Sequence, residues 1–120
     1  MSQYTEGNTK TFTAGAAIGQ HLRVKLSSGK LAVAVAGVTD EPLEIGTMVN
    51  ASFADLDLSA VRLRNAAGTC KMIAAGAVGA GVAVYGAAAG KISTTASGAA
   101  LGISMEAAAA DGDIIEVQRY

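Results

Sequence analysis

The sequence predicts a small all-β protein, a β-barrel or sandwich of short strands, and three observations support this. Apolar and polar residues alternate in several short stretches, and turn-forming residues separate these stretches. No stretch has the length and spacing of apolar residues that a long helix requires. The chain also resembles itself at a spacing near 60 residues. A length of 120 residues suits one domain.

The elements follow one another regularly along the chain. The first ten residues are polar, and we expect residues 1–10 to form a flexible N-terminal arm before a single all-β domain over residues 11–120. Alternation predicts strands at residues 21–25, 31–35, 61–64, 81–85 and 115–118. Turn-forming residues separate them at residues 27–30, 65–68, 87–90 and 111–113.

Alternation within a strand also predicts which side chains face solvent. In residues 61–64 the two apolar side chains point one way and the two arginines the other. In residues 21–25 the polar positions are His21, Arg23 and Lys25, so we expect these three side chains on a solvent-facing side of the strand.

The self-resemblance predicts two pseudo-repeats, at about residues 11–64 and 71–120. An order of five short phrases recurs, which chance in an Ala/Gly-rich sequence produces less readily than any one phrase. The matched segments are residues 12–24 with 73–84, residues 29–31 with 90–92, residues 55–61 with 111–117, and Met48 with Met105.

Composition excludes several classes of function. Nine basic and ten acidic residues give a net charge of −1, which argues against a nucleic-acid partner. One Cys and one His exclude an internal disulfide and a zinc cluster within one chain. The core is built largely from small residues, so we expect stabilisation by self-association or by a partner surface.

Targeting and membrane signals favour a chain made in the cytoplasm. The polar N-terminus lacks the apolar segment of a signal peptide. Residues 72–90 carry no charge and approach the length of a membrane span, but they contain five glycines. Their repeat counterpart alternates with polar residues, so we expect no membrane partner.

Two aspartate pairs are candidates for cation binding. Asp55 with Asp57, and Asp111 with Asp113, have carboxylates that could ligate a hard cation. Aspartate also opens turns by accepting backbone N–H groups, and no further oxygen ligand lies at a coordinating spacing. The turn interpretation is favoured, and we expect no metal.

Nucleophilic catalysis would need a base and a nucleophile, and His21 with Cys70 is the available combination. Nothing specific surrounds either residue in the sequence, so we expect no catalytic residues and no enzyme activity. Residues 75–84 are similar to biotinyl and lipoyl carrier domains, in which a lysine at a hairpin tip is modified. Lys71 is the nearest candidate here, but it lacks the flanking residues of those motifs. We expect no cofactor.

Three longer phrases carry a further resemblance. Residues 13–19, residues 82–92 and the closing residues 101–117 resemble phage capsid decoration, or cement, proteins. The resemblance implies a non-enzymatic protein on the outer surface of the virion. It also implies a homotrimer or other small homo-oligomer that bridges subunits of the major capsid protein and stabilises the head.

The resemblance also implies a terminal arm that orders on the capsid. We therefore expect Ser2, Gln3, Tyr4 and Thr5 to contact the capsid, with Tyr4 as the anchor because an exposed aromatic side chain in a polar arm has little else to pack on. A carrier domain, or another non-enzymatic β-rich shell or fibre component, remains the alternative function.

Overall fold

The computed structural model describes residues 8–27, 32–54 and 57–120, and it confirms the predicted all-β fold. The first five strands are β1 (Thr9–Ala14), β2 (Arg23–Leu26), β3 (Ala32–Val35), β4 (Glu44–Met48) and β5 (Leu58–Leu63). The next five are β6 (Thr69–Ile73), β7 (Ala83–Gly86), β8 (Ile92–Ser93), β9 (Gly102–Ser104) and β10 (Ile114–Arg119). Short 3₁₀ turns lie at Glu41–Leu43 and Ala88–Gly90.

Strands β1 to β5 form a closed barrel in the order β1-β3-β2-β4-β5. The barrel closes through β1, which pairs antiparallel with β5 along its length and parallel with β3 at its end. The parallel contact joins Thr13 to Ala32 and Ala14 to Val33. Closure leaves the barrel without a free edge at that end of β1.

Strands β6 to β10 form a second sheet, in the order β6-β10-β9-β7-β8. Followed around the closed barrel in the opposite direction, from β1 to β5 and on to β3, the barrel's order is the same with each strand replaced by the one five places later in the chain. Here the edges meet at one parallel bridge, between Ala74 and Ile92, so the second sheet is a half-barrel.

The two sheets repeat their connecting hydrogen bonds at equivalent positions. The N–H of Ala14 donates to Asp57 O, and that of Ala74 to Asp113 O, each at 2.8 Å. The N–H of His21 donates to Met48 O at 2.8 Å, and that of Gly81 to Ser104 O at 2.7 Å. These equivalences agree with the predicted pseudo-repeats, whose origin in a duplication stays a prediction.

Two details of the sequence match differ from the backbone equivalence. Met105 donates its N–H to Glu116 O as Val49 does to Ala60 O, so Met105 is equivalent to Val49 and not to Met48. Ile92 bridges Ala74 as Val33 pairs with Ala14, so its counterpart lies within β3. Residues 29–31, which the sequence match pairs with residues 90–92, lie outside the described residues.

Each sheet encloses its own small core. The barrel core consists of Phe12, Ala14, Ile18, Val24, Val33, Met48 and Val61. The core of the second sheet consists of Cys70, Met72, Ala74, Val78, Val84, Ile92, Leu101, Ala108, Ile115 and Val117. The inward side chains of β5 and β10 are those that the alternation predicts.

The predicted solvent exposure of residues 21–25 is wrong at Arg23, which is fully buried. Alternation in β2 does place Val24 in the barrel core and Arg23 on the opposite face. That outer face is covered by the second sheet, so a side chain directed out of the barrel does not reach water. His21 is half-buried and precedes β2 in a turn, with φ of +66°.

The predicted boundary of the N-terminal arm falls inside β1. Thr9 pairs with Arg62 and Lys10 with Val61, so these two residues belong to the barrel. Residues 1–7 lie outside the described residues.

Candidate functional site

The predicted capsid contacts Ser2, Gln3, Tyr4 and Thr5 lie outside the described residues. Polar and charged side chains are clustered in two other regions of the structure. One is the seam, which we define as the buried contact between the barrel and the second sheet around Arg23. The other is an open cleft between the same two sheets.

Arg23 joins the two sheets at the seam. Its Nε donates to Lys91 O at 3.0 Å and its Nη2 to Ala87 O at 2.8 Å, both in the second sheet's β7–β8 connection. The same Nη2 donates to Gly37 O, in the barrel half of the chain, at 3.1 Å. Charge-assisted hydrogen bonds of this kind offset part of the cost of burying the guanidinium.

Glu44 makes the second connection across the seam. Its buried carboxylate accepts two hydrogen bonds from Arg119 Nη2 on β10, at 2.9 and 2.8 Å. Arg23 Nη1 lies 3.9 Å from the same carboxylate. One carboxylate thus faces two arginines, and Arg23 Nη1 and Arg119 Nε have no hydrogen-bond partner. Burial lowers the pKa of Arg23, and the charge of Glu44 opposes that shift.

Glycines at two positions leave room for the close approach of the second sheet to Arg23. A Cβ on Gly86 would lie 3.0 Å from both terminal nitrogens of the Arg23 guanidinium. Gly90 has φ of +76° and packs against Arg23 O and Val35. The seam therefore depends on small residues in the β7–β8 region as well as on charge.

The cleft has a volume of about 530 Å³ and lies between the barrel and the second sheet. Its barrel wall consists of Thr9, His21, Thr47, Met48, Val49 and Arg62. Its other wall consists of Thr69, Cys70, Lys71, Glu106 and Glu116. The volume is within the range of ligand and peptide pockets.

The two carboxylates of the cleft are engaged by groups of the protein itself. Glu116 accepts a hydrogen bond from the Thr69 hydroxyl at 2.5 Å, and Glu106 accepts one from the N–H of Glu116 at 2.8 Å. The basic side chains of the cleft are His21, Arg62 and Lys71. No carboxylate of residues 8–27, 32–54 and 57–120 forms an ion pair with them.

The surroundings of His21 in the cleft disfavour its protonated form. Burial lowers the pKa of His21 below its ordinary value, and the charge of Lys71 lowers it further. Arg62, which also lines the cleft, donates a hydrogen bond from Nη2 to Ala67 O.

The structure brings His21 and Cys70, the candidate base and nucleophile, to the walls of the same cleft. Cys70 is a buried free thiol, and burial raises its pKa above the usual value. A raised pKa disfavours the thiolate, which is the nucleophilic form. The direction of this pKa shift therefore gives no support to Cys70 as a nucleophile.

The second aspartate of each Asp-x-Asp pair binds the backbone of its own loop. Asp57 accepts hydrogen bonds from the N–H groups of Phe53 and Ala54, and Asp113 does the same in the equivalent loop of the second sheet. Asp111 pairs with Lys91 at 2.8 Å, and Asp55 lies outside the described residues. In the described part of the chain, no three His, Cys, Asp or Glu side chains are grouped to hold a metal ion.

Two alternatives, a carrier domain and a membrane span, depend on where Lys71 and residues 72–90 lie in the fold. Lys71 is in the middle of β6 and not at a hairpin tip, where a carrier lysine is modified. Residues 72–90 include the end of β6, all of β7 and a 3₁₀ turn. Among the described residues, no helix has the length and apolar character to cross a membrane.

Exposed apolar side chains occur at equivalent positions of the two sheets. Leu58 begins β5 and Ile114 begins β10, and both are more than half exposed. Val49 and Met105 are likewise equivalent and exposed, and Phe53 is 83% exposed in a barrel loop. Such residues are candidates for contacts with other chains.

Sequence reasoning missed the seam. One signal was present: in the repeat alignment, Arg23 stands opposite Ala83, so a charged residue replaces a small one at an equivalent position. Glu44 and Arg119 carry no such local signal, because their pairing joins residues 75 apart in the chain.

Comparisons with known proteins bear on the fold. No family model and no curated protein matches the chain. Among solved structures, the chain is similar to one described as the crystal structure of the head fiber gp8.5 N base in bacteriophage phi29. The TM-score is 0.75 at 16% sequence identity, over 93% of this chain and 92% of that one. At this identity, the likeness shows a shared fold.

Proposed function

We propose that the chain is a structural protein of a phage virion that binds the outer surface of the assembled head. In this role it bridges subunits of the major capsid protein, stabilises the shell, and has no enzyme activity. The observation that carries the proposal is the fold, shared over 93% of the chain with a protein described as a head fibre base. The resemblance of three sequence phrases to capsid decoration proteins supports it independently.

Physical features of the chain agree with a role in an assembly. The two cores are small, and large apolar side chains such as Phe53 and Leu58 stay exposed. Burying them against other subunits would contribute roughly 1.5–3 kcal/mol for each large side chain. We therefore propose a homotrimer or other small homo-oligomer as the unit that sits on the capsid.

The direct test is binding to heads of the parent phage that lack this protein. Cosedimentation of the purified chain with such heads should be saturable, and the decorated heads should withstand heating or osmotic shock better than bare heads. A chain that stays in the supernatant at concentrations of about 10 μM would exclude the proposal, because stable assembly contacts are tighter than this.

The N-terminal arm, with Ser2, Gln3, Tyr4 and Thr5, is the proposed capsid contact. Deletion of residues 2–7 is the appropriate variant, since Asn8 O accepts the N–H of Leu63 and Thr9 belongs to β1. The truncated chain should fold as before and bind heads more weakly, and Tyr4→Ala should reproduce much of the loss. Unchanged head binding of the truncated chain would assign the contact to another surface.

The base of a projecting head fibre is the second candidate arrangement. It is favoured by the structural neighbour, which is described as a head fiber N base. Electron microscopy of decorated heads distinguishes the two arrangements. A coat would appear as density close to the shell, and a fibre base would appear as the root of a projection.

A further inference from the structure

We propose that the contact between the two sheets is repeated between copies of this chain, so that the second sheet of one copy binds the barrel of the next. Ala83 and Ala100 of one copy contact Leu26 and Leu63 of the next copy. The inference rests on the proposed function for the expectation that the chain self-associates, and it names the surfaces that do so.

The seam within one chain joins two different faces. The barrel contributes its docking face, which carries Arg23 and Glu44, and the second sheet contributes its receiving face, which carries Gly86 and Arg119. Arg23 lies against Gly86, where a Cβ would come within 3.0 Å of the guanidinium. Glu44 accepts hydrogen bonds from Arg119. Because the sheets repeat the same strand order, each of them also has the other kind of face.

The docking face of the second sheet is uncharged at the two equivalent positions. Ala83 has the register in β7 against β9 that Arg23 has in β2 against β4. Ala100 stands two residues before the glycine of β9 that pairs with β10, as Glu44 stands before the equivalent glycine of β4. Both alanines are partly exposed, and Val82, next to Ala83, is exposed as well.

The receiving face of the barrel is apolar at its two equivalent positions. Leu26 has the register in β2 against β3 that Gly86 has in β7 against β8. Leu63 pairs with the glycine of β4, as Arg119 pairs with the equivalent glycine of β9. Leu26 is 53% exposed and Leu63 is partly exposed, so both are accessible to another chain.

The replacements on the two faces are matched in size. At the seam, the long side chain of Arg23 meets a glycine. Between copies, the short side chain of Ala83 would meet the longer one of Leu26. A small residue on one face thus accompanies a large residue on the face that it would contact, with the order reversed.

The replacements are also matched in polarity. At the seam, Glu44 and Arg119 form a buried ion pair. Between copies, Ala100 and Leu63 would form an apolar contact, so no buried charge would lack a partner. Both faces change together, as expected for two surfaces that bind each other. Since the two faces differ, the contact is head-to-tail, and in a closed ring every copy would use both of its faces.

Insertion of a charge on the docking face of the second sheet tests the contact. Ala83→Arg gives this position the residue that its equivalent in the barrel holds. Ile114→Arg is the matched control, because it adds the same charge at an exposed apolar position at the start of β10. In sedimentation velocity at about 50 μM, wild type and Ile114→Arg should be oligomers. Ala83→Arg should dissociate to monomers, since an unpaired buried arginine weakens association by about a hundredfold or more.

A second substitution should restore the association. Leu26→Gly alone should weaken it, because an apolar side chain is lost from the receiving face. The N–H of Ser27 donates to Ala32 O as that of Ala87 donates to Lys91 O, so the carbonyl groups that bind an arginine at the seam have counterparts beside Leu26. The double variant Ala83→Arg/Leu26→Gly therefore gives the new arginine both space and acceptors, and it should associate again. Circular dichroism checks that each variant is folded.

Three results would overturn the inference: a monomeric wild-type chain at about 50 μM, equal effects of Ala83→Arg and Ile114→Arg, or a double variant as monomeric as Ala83→Arg. Cosedimentation with heads is measured separately. If the chain self-associates as described but does not bind heads, the proposed function fails and the contact between copies stands. If the chain binds heads while remaining a monomer, head binding stands and this contact is overturned.

Discussion

At the scale of single residues, Glu44 supplies the negative charge that faces the two arginines of the seam. Its carboxylate is fully buried and faces Arg119 at 2.8 Å and Arg23 at 3.9 Å. Removing one member of a buried ionic group leaves uncompensated charge in a medium that solvates it poorly. The loss is therefore expected to exceed that of any single surface ion pair in the described part of the chain.

Replacement of Glu44 by alanine tests this. Glu44→Ala should lower the free energy of unfolding by about 3–5 kcal/mol, because two buried arginines lose their counter-ion. Asp111→Ala, which breaks the exposed pair with Lys91, should cost less than about 1 kcal/mol. Urea unfolding followed by circular dichroism measures both. Similar costs for the two variants would mean that the seam charges are solvated.

The backbone of His21 makes a second prediction at this scale. His21→Ala and His21→Gly both remove the imidazole, but only glycine adopts φ of +66° without a Cβ penalty. The glycine variant should be more stable than the alanine variant by about 1 kcal/mol in thermal or urea unfolding. A more stable alanine variant would show that the turn relaxes to another conformation.

The pKa of His21 makes a third prediction. Because burial and Lys71 lower this pKa in the folded chain, the unfolded chain binds more protons between the lowered value and the ordinary value of 6.5. Stability therefore rises with pH through that window, is present in full above 6.5, and is lost as the pH falls through the folded pKa. The difference in unfolding free energy between wild type and His21→Gln should follow this course. A flat difference would contradict it.

At the scale of elements, two equivalent glycines allow β4 to approach β5 and β9 to approach β10. A Cβ on Gly46 would overlap Arg62 O, and a Cβ on Gly102 would overlap Gln118 O. Both contacts involve backbone of the paired strand, so a neighbouring side chain cannot relieve them by rotating. The same constraint in both sheets indicates a shared local geometry.

Alanine substitution tests the constraint with a control from the same chain. Gly46→Ala and Gly102→Ala should each destabilise the protein by about 2–3 kcal/mol, because the strand pair must separate locally. Gly76→Ala should change stability by less than about 0.5 kcal/mol, since its Cβ would meet nothing within 4 Å. A cost at Gly76 equal to the other two would indicate a general effect of lost glycine.

The sequence predicted the strands better than their surroundings. Alternation placed Val61, Ile115 and Val117 in the cores, because side-chain direction along a strand depends on local geometry alone. It failed for Arg23, because the outer face of a barrel is exposed to solvent only where no other element packs on it. That depends on the second sheet, which starts more than 40 residues later in the chain.

At the scale of the whole molecule, the seam couples two sheets that have separate cores. Arg23 and Glu44 connect the barrel to β10 and to the β7–β8 region through four described hydrogen bonds. Separating the sheets would expose these charged groups beside apolar surface. We therefore expect the sheets to unfold together.

Calorimetry tests this coupling. The wild-type chain should unfold in one transition, with equal calorimetric and van't Hoff enthalpies. Glu44→Ala should broaden or split that transition as the sheets uncouple. Two resolved transitions already in the wild-type chain would show that each sheet is stable alone and that the seam contributes little.

The candidate sites illustrate what a single sequence cannot supply. Asp57 and Asp113 were assigned to turns from local chemistry, and their hydrogen bonds to loop N–H groups agree. The cleft combines Thr9 with Lys71 and His21 with Glu116, and no local pattern brings residues so distant in the chain together.

The charges of the seam have a consequence for how many units such a chain can join in series. Positions equivalent to Arg23, Glu44 and Arg119 hold Ala83, Ala100 and Leu63. Ala83 and Ala100 lie on the face of the half-barrel that corresponds to the barrel's docking face, and neither carries a charge, whereas Leu63 lies on β5 of the barrel. A third unit stacked on that face would not meet the buried arginine and glutamate that connect the first two units. We therefore expect this ionic mode of stacking to end at two units.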